Sequence, residues 1–251
     1  MSQSDQFNGR LGLIFASIGA AIGTGNIWRF PRMVGANGGG TFLIPWLIFL
    51  FAWSIPLVIA EYAMGKRSRT GTIGTFRIFA GRRFAWMGLW TAWISTAIGF
   101  YYAVVSGWTL KYFQLGITGA LSGEKVDTTE VWNAFLQSPG QVIFFQFVVI
   151  LLVLGTIWKG AKAIEKVNFY LMISLFALLF LTLFLSLWMD LSDGSLDGAL
   201  FMFTVDFDML LEPEVWINGL SQSAWSCSAG MGMCITYAVY MSKDEDTVLN
   251  A

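Results

Sequence analysis

The sequence contains no histidine and only two cysteines, and just 12% of its 251 residues are charged. Each shortage excludes something. Without histidine there is no Ser-His-Asp triad, no imidazole metal ligand and no imidazole proton relay. Cys227 and Cys234 share one apolar segment. On a helix they stand roughly 10 Å apart along the axis, too far to bridge, so they read as packing thiols. A soluble domain carries about twice this charge fraction, ~25%. The net charge of −1 leaves nothing to neutralise a row of phosphates, which argues against nucleic acid as a partner. An enzyme is not expected either. Cys227, between Ser226 and Ser228, is the nearest thing to a nucleophile, and no general base lies near it.

What the chain does have is apolar bulk. It is 56% hydrophobic, with 12 Trp and 22 Phe, and its mean hydropathy is +0.63. That composition fits a bundle whose outer surface is also apolar, with lipid as the surrounding solvent. Six apolar stretches are read at about 11–34, 41–64, 84–115, 141–158, 164–189 and 215–241. Most approach or exceed the ~20 residues that cross ~30 Å of hydrocarbon. The opening MSQSDQFNGR runs straight into the first stretch, so a cleavable signal peptide is not expected.

Lysine and arginine set the orientation. The link between spans two and three carries Lys66, Arg67, Arg69, Arg77, Arg82 and Arg83 with no acid, and the link between four and five carries Lys159, Lys162 and Lys166. The link between five and six has no basic residue and holds Asp190, Asp193, Asp197, Asp206, Asp208, Glu212 and Glu214. Both termini are therefore expected in the cytoplasm of a multi-pass plasma-membrane protein. The stretch 116–139 is expected to be an outer loop, partly helical. Gly38-Gly39-Gly40 and Ser192-Asp193-Gly194 mark turns.

Spans one and six carry unusual centres. Span one reads Gly19-Ala20-Ala21-Ile22-Gly23-Thr24-Gly25-Asn26, and span six reads from Gln222 through Ser226, Ser228 and Gly230 to Gly232. Glycine disfavours a continuous helix, and Ser and Asn offer freed backbone other partners. Bare peptide groups in hydrocarbon cost several kcal/mol each unless something polar fills the gap. Two openings at one depth can share a polar guest: helix N-termini face an anionic group, freed carbonyls face a cation. Small-residue packing and serine hydrogen bonding between helices account for the same residues equally well. Both readings stand on these two segments alone.

The runs Arg10-Leu11-Gly12-Leu13-Ile14, Gly23-Thr24-Gly25-Asn26-Ile27-Trp28-Arg29-Phe30-Pro31 and Asn37-Gly38-Gly39-Gly40 closely resemble the neurotransmitter:sodium symporter family, above all its bacterial leucine-transporter-like amino acid members. Further matches are Ile44-Pro45, Glu61-Tyr62-Ala63-Met64-Gly65, Tyr101-Tyr102, Ser106-Gly107-Trp108-Thr109-Leu110 and Ile235-Thr236-Tyr237-Ala238-Val239-Tyr240. The resemblance implies an all-α membrane protein with the first half of an inverted-repeat fold. Its helices one and six are broken at mid-membrane. It implies one transmembrane domain over 1–251: a first five-helix repeat at about 10–190, an outer loop at about 190–214 and the first helix of the second repeat at about 215–241. Helices from the seventh onward fall outside Ala251. The implied function is sodium-coupled symport of a small neutral amino acid by alternating access. The alternative is a truncated, non-transporting half-molecule, or a half-transporter needing the C-terminal half or a second subunit as partner.

Site residues follow from the same resemblance. A first Na⁺ site matches Ala21, Asn26 and Ser226, and a second matches the carbonyls of Gly19 and Ile22. The substrate carboxylate matches amides around Thr24 and Gly25 and the hydroxyl of Tyr102; the ammonium matches carbonyls of Ala21, Trp225 and Ser228. Ile98, Tyr102, Trp225 and Met231 shape the side-chain pocket, while Arg29 and Tyr240 belong to the outer and inner gates. Read without the family, Tyr102 is an ordinary buried aromatic with its hydroxyl on a carbonyl, Trp225 a packing residue and Arg29 an interfacial anchor. Glu61 is read as structural, receiving hydrogen bonds from opened backbone of span one.

The sequence departs from the family in places. Gly23 stands where amine-transporting members have Asp, which favours a substrate bearing its own carboxylate. Trp46 replaces the Tyr of chloride-dependent members, so chloride dependence is doubtful, although Gln222 and Ser226 are retained. Ser4 replaces the Arg that locks the inner gate beside Tyr240. Trp225 and Met231 stand where Phe is frequent, so a larger apolar or aromatic amino acid is expected.

Overall fold

The computed structural model describes residues 14, 15, 17–19, 22, 25–122, 126–158, 160–193, 196–242 and 245–249. The described residues are helical almost throughout and include no strand. Gly25–Arg29 forms a π-type turn that leads into α1, Phe30–Ala36. Then come α2 (Gly40–Ser68), α3 (Gly71–Phe79), α4 (Ala85–Ile117), α5 (Thr128–Leu136), α6 (Pro139–Ile157) and α7 (Ala161–Asp193). Two short helices, α8 (Asp197–Phe201) and α9 (Phe207–Leu210), precede α10 (Pro213–Cys227) and α11 (Met233–Val239).

Four helices are long and apolar enough to cross a bilayer: Gly40–Ser68, Arg82–Ile117, Pro139–Ile157 and Ala163–Ser192. They coincide with spans two to five. Along Pro139–Ile157 only Phe145 is buried inside the molecule, so the rest of that surface needs lipid as its solvent. The loop expected at 116–139 contains α5, whose N-terminus is capped by Asp127 Oδ1 accepting from Thr129 N–H and Glu130 N–H.

Span two is the spine. Its two prolines lie inside the helix at Pro45 and Pro56. Pro56 has no N–H for the carbonyl four residues back and its ring pushes against it. The chain relaxes just before it into a π-type segment, Leu50–Ser54. α10 packs against the part of α2 before this segment and α11 against the part after it. Glycines permit both contacts. A Cβ on Gly219 would stand 3.0 Å from Pro45 Cβ, and one on Gly65 would stand 2.3 Å from the Ile235 carbonyl oxygen. Small residues at such crossings let membrane helices gain van der Waals contact.

Span six is interrupted. α10 stops at Cys227 because Ser228 adopts a left-handed conformation, φ 54°. Ala229 N–H donates to the Ala224 carbonyl at 3.1 Å and Ser228 N–H to that of Trp225 at 3.4 Å, which is a Schellman cap with serine in place of glycine. Gly230 and Gly232 also have positive φ, 79° and 74°, before α11 restarts at Met233. The opening is narrower than the sequence suggests. Gln222 to Cys227 remain helical, and only 228–232 leave the helix.

In span one, Ile14, Phe15, Ser17, Ile18, Gly19 and Ile22 are helical, and the helix type has changed to π by Gly25. The opening expected at 19–26 centres on Ala20, Ala21, Gly23 and Thr24, which lie outside the described residues. The N-terminal part of this span is tied to its neighbours: Ser17 Oγ hydrogen-bonds Tyr62 Oη, and Phe15 meets Phe169 of α7 edge-on at 5.3 Å.

Candidate functional site

Residues four apart share a helix face, so Gln222 and Ser226 point together from α10 toward the π-type turn of span one. Asn26 meets them there. Its Oδ1 accepts from Gln222 Nε2 at 3.0 Å and from Ser226 Oγ at 3.0 Å, and its Nδ2 donates to the Ser226 carbonyl at 3.2 Å. That carbonyl is available because the helix ends. Its helical donor would be Gly230 N–H, which donates instead to Glu61 Oε1 at 2.9 Å. Glu61 therefore holds open the backbone of span six. The donors expected from span one fall partly outside the described residues. Three oxygens, Asn26 Oδ1, Ser226 Oγ and the Ser226 carbonyl, thus gather at one place, a donor set suited to a hard cation such as Na⁺.

Of the other residues expected around ions, Ala21 lies outside the described set. Gly19 and Ile22 lie in helical backbone, Gly19 beside Met172 and Asn168 of α7.

Trp225 and Ser228, which stand on either side of Ser226 in the chain, line a cavity of about 310 Å³, at the lower end of the ~300–1,000 Å³ usual for small-molecule sites. Ile98, Tyr102, Trp225, Ser228 and Met231 all line it. These are five of the eight residues expected around a substrate. Thr24 and Ala21 lie outside the described residues, and Gly25 is described by its backbone within the π-type turn. Among the described residues the Tyr102 hydroxyl makes no hydrogen bond, nor does the Ser228 carbonyl; the Trp225 carbonyl takes the long cap bond from Ser228 N–H. A buried aromatic with its hydroxyl spent on a carbonyl is therefore not what Tyr102 is here.

A second cavity, of about 710 Å³, lies beyond Ile98, Tyr102 and Trp225, which line both. Arg29 stands at this partition. Its guanidinium lies 5.9 Å from the Trp225 ring centroid, donates from Nη1 to Gln222 Oε1, and from Nη2 to Ser221 Oγ at 3.2 Å. Gln222, fully buried, thereby joins Arg29 to the Asn26–Ser226 cluster. Trp46 Nε1 is buried without a hydrogen-bond partner among the described residues.

Two contributors escape sequence reasoning. Ser95 Oγ donates to the Met231 carbonyl, fixing the unwound segment to α4. Its position, three before Ile98 and seven before Tyr102 on one helix face, was the available signal. Arg69, in a left-handed cap at the end of α2, donates from Nη1 to the Val239 carbonyl at 2.7 Å and to that of Met241. These carbonyls flank half-buried Tyr240 at the end of α11. Nothing in the spacing announces that bond.

Comparison with known proteins adds a frame. The model of the sodium:neurotransmitter symporter family matches residues 4–137 and 133–251. An uncharacterized sodium-dependent transporter of Methanocaldococcus jannaschii is 34% identical, covering 99% of this chain and 52% of that protein. An uncharacterized sodium-dependent transporter of Bacillus subtilis, YhdH, is 31% identical over 96% of this chain and 53% of its own length. The rat sodium-dependent neutral amino acid transporter SLC6A17 is 31% identical over 98% of this chain and 37% of its own. A crystal structure of MhsT in complex with L-phenylalanine superposes with a TM-score of 0.87 at 33% identity, covering 98% of this chain and 56% of that one. The chain thus spans about half the length of several relatives it matches, and those relatives are transporters rather than enzymes.

Proposed function

This chain belongs to the sodium:neurotransmitter symporter family, and from that premise we propose that it forms the ion- and substrate-holding half of a symporter that couples Na⁺ to a neutral, larger apolar or aromatic amino acid. The observation that carries the reading is the oxygen cluster at Asn26 and Ser226, with Trp225 and Ser228 on either side of Ser226 in the chain both lining the cavity. Relatives named as sodium-dependent neutral amino acid transporters, and one solved with L-phenylalanine, support it.

No bond is made or broken in such a process. Na⁺ replaces the hydrogen bonds that Asn26 Oδ1 now accepts, with Ala21 completing its shell, and a second Na⁺ uses the carbonyls of Gly19 and Ile22. The amino acid carboxylate takes the amides near Thr24 and Gly25 and the Tyr102 hydroxyl. The ammonium takes carbonyls of Ala21, Trp225 and Ser228. Ile98, Trp225 and Met231 enclose the side chain. Arg29 on Trp225 closes the outer side and Tyr240 the inner, as alternating access requires. The first repeat occupies about 10–190, the outer loop about 190–214 and the first helix of the second repeat about 215–241. The protein sits in the plasma membrane with its N-terminus in the cytoplasm.

The test is binding of radiolabelled Phe, Leu, Ala and Gly to the chain in nanodiscs, with Na⁺ or K⁺. Na⁺-dependent binding that prefers Phe or Leu is expected. Asn26→Ala should raise the Na⁺ requirement by about tenfold or more, since it removes a polar contact to a charge worth ~1.5–3 kcal/mol. Binding indifferent to Na⁺, or a preference for Gly, overturns the assignment. Binding in nanodiscs without uptake by the same chain in sealed proteoliposomes assigns translocation to a partner or to further chain.

A further inference from the structure

At the end of α2 the structure holds a third cavity, of about 460 Å³, lined by Ala63, Lys66, Arg67, Arg69 and Thr247. Three of the five lining side chains are cationic and none is acidic. We propose that this cavity binds the phosphate headgroup of an anionic phospholipid, and that the lipid braces the inner end of α11. The proposal is independent of the ion and substrate assignments.

The donors are unequally employed. Lys66 Nζ is given to the Glu245 carbonyl. Arg69 uses Nη1 on the Val239 and Met241 carbonyls, which satisfies the exposed carbonyl end of α11. Its Nε and Nη2 have no partner among the described residues. Arg67 is exposed, and no hydrogen bond or ion pair engages it among the described residues. A planar guanidinium fork with nothing to hold, the free edge of a second guanidinium and a threonine hydroxyl together match the oxygens of a single phosphate. The same contacts suit inorganic phosphate, so the source is decided by depth.

Depth favours the lipid. α2 has 29 residues, about 43 Å at 1.5 Å per residue, against ~30 Å of hydrocarbon. Its last turn therefore emerges among the headgroups. The link that follows repeats the signal: Arg77, Arg82 and Arg83 are all exposed, and beside them Phe79, Phe84 and Trp86 are exposed too. Aromatic rings together with unpaired basic residues mark the interfacial layer. A phosphate in this cavity faces Arg69 from the side opposite the α11 carbonyls and holds that guanidinium in place. Loss of the lipid loosens the grip of α2 on the inner half of span six.

The test uses the full chain extracted in mild detergent and examined by native mass spectrometry after exposure to phosphatidylglycerol or phosphatidylcholine. One retained phosphatidylglycerol per chain is expected, with phosphatidylcholine lost. Arg67→Gln should lower that occupancy about fivefold, the value of one basic residue near an anionic headgroup. This change removes no hydrogen bond or ion pair among the described residues, and an unchanged melting temperature checks that the fold is kept. Arg83→Gln, exposed but outside the cavity, should leave occupancy unchanged. Equal loss in both variants means diffuse surface attraction and overturns the site. Equal retention of phosphatidylcholine, or displacement of the bound lipid by excess inorganic phosphate, overturns the lipid assignment.

Discussion

Tyr102 and Ser228 show how single residues report on the site. The Tyr102 hydroxyl lines the 310 Å³ cavity and makes no hydrogen bond among the described residues. Tyr102→Phe should therefore leave the melting temperature unchanged while weakening amino acid binding about tenfold or more, as for loss of a hydrogen bond to a carboxylate, ~1.5–3 kcal/mol. A fall in melting temperature with binding intact would make the hydroxyl structural. Ser228 pays for its left-handed backbone, a conformation that disfavours L-residues by ~1–2 kcal/mol. Ser228→Gly should raise thermal stability by up to about 1 kcal/mol, measurable by fluorescence-detected melting; destabilisation would show that the serine hydroxyl supports the break. At this scale the sequence was informative where a motif existed. Asn26, Ser226, Tyr102, Trp225 and Met231 stand out through family resemblance; the structure joins Asn26 to Ser226 and sets Tyr102, Trp225 and Met231 around one cavity. Ser95 carries no such signal, and Arg69 counts in the sequence only as one of the basic residues that set orientation. Their bonds reach carbonyls 136 and 170 residues away, and a carbonyl partner leaves no mark on residue identity.

Between elements, the controlling feature is the contact of α2 with the two halves of span six. Gly65 sits where a Cβ would fall 2.3 Å from the Ile235 carbonyl oxygen, whereas around Gly155 of α6 there is nothing within 4 Å. Gly65→Ala should destabilise the protein by ~1–3 kcal/mol, the range for overpacking. Gly155→Ala should be neutral or stabilising by up to about 1 kcal/mol. Equal effects in a thermal-shift assay would mean that α11 does not press on α2 as described. The four continuous spans were readable from apolar length alone, because nothing but lipid faces much of their surface. The π-type segment Leu50–Ser54 was not, although Pro56 is its cause, because a proline in a membrane helix can equally produce a kink. The break in span six was placed correctly but drawn too wide. Serine does not by itself stop a helix, and the ladder ends only where Ser228 turns left-handed.

For the whole molecule, links rich in lysine and arginine alternate with links poor in them from one end of the helices to the other. With Cys227 and Cys234 replaced by Ala, a Cys at Ser122 should react with a membrane-impermeant maleimide on intact cells. A Cys at Arg83 should react only after permeabilisation. The reverse pattern would invert the orientation read from lysine and arginine.

The interruption in span six also bears on how the protein is made. α10 has 15 residues and α11 has 7, about 22 Å and 10 Å of rod, each short of the ~30 Å hydrocarbon layer. Neither piece meets the length for independent insertion, and the linker between them bares peptide groups. The missing partners are on α2: Glu61 for the Gly230 amide and a side-chain-free seat at Gly65 for Ile235. Since the ribosome delivers α2 first, it is in position to act as a template during biogenesis, and the sixth crossing enters the bilayer by assembling on a helix already there.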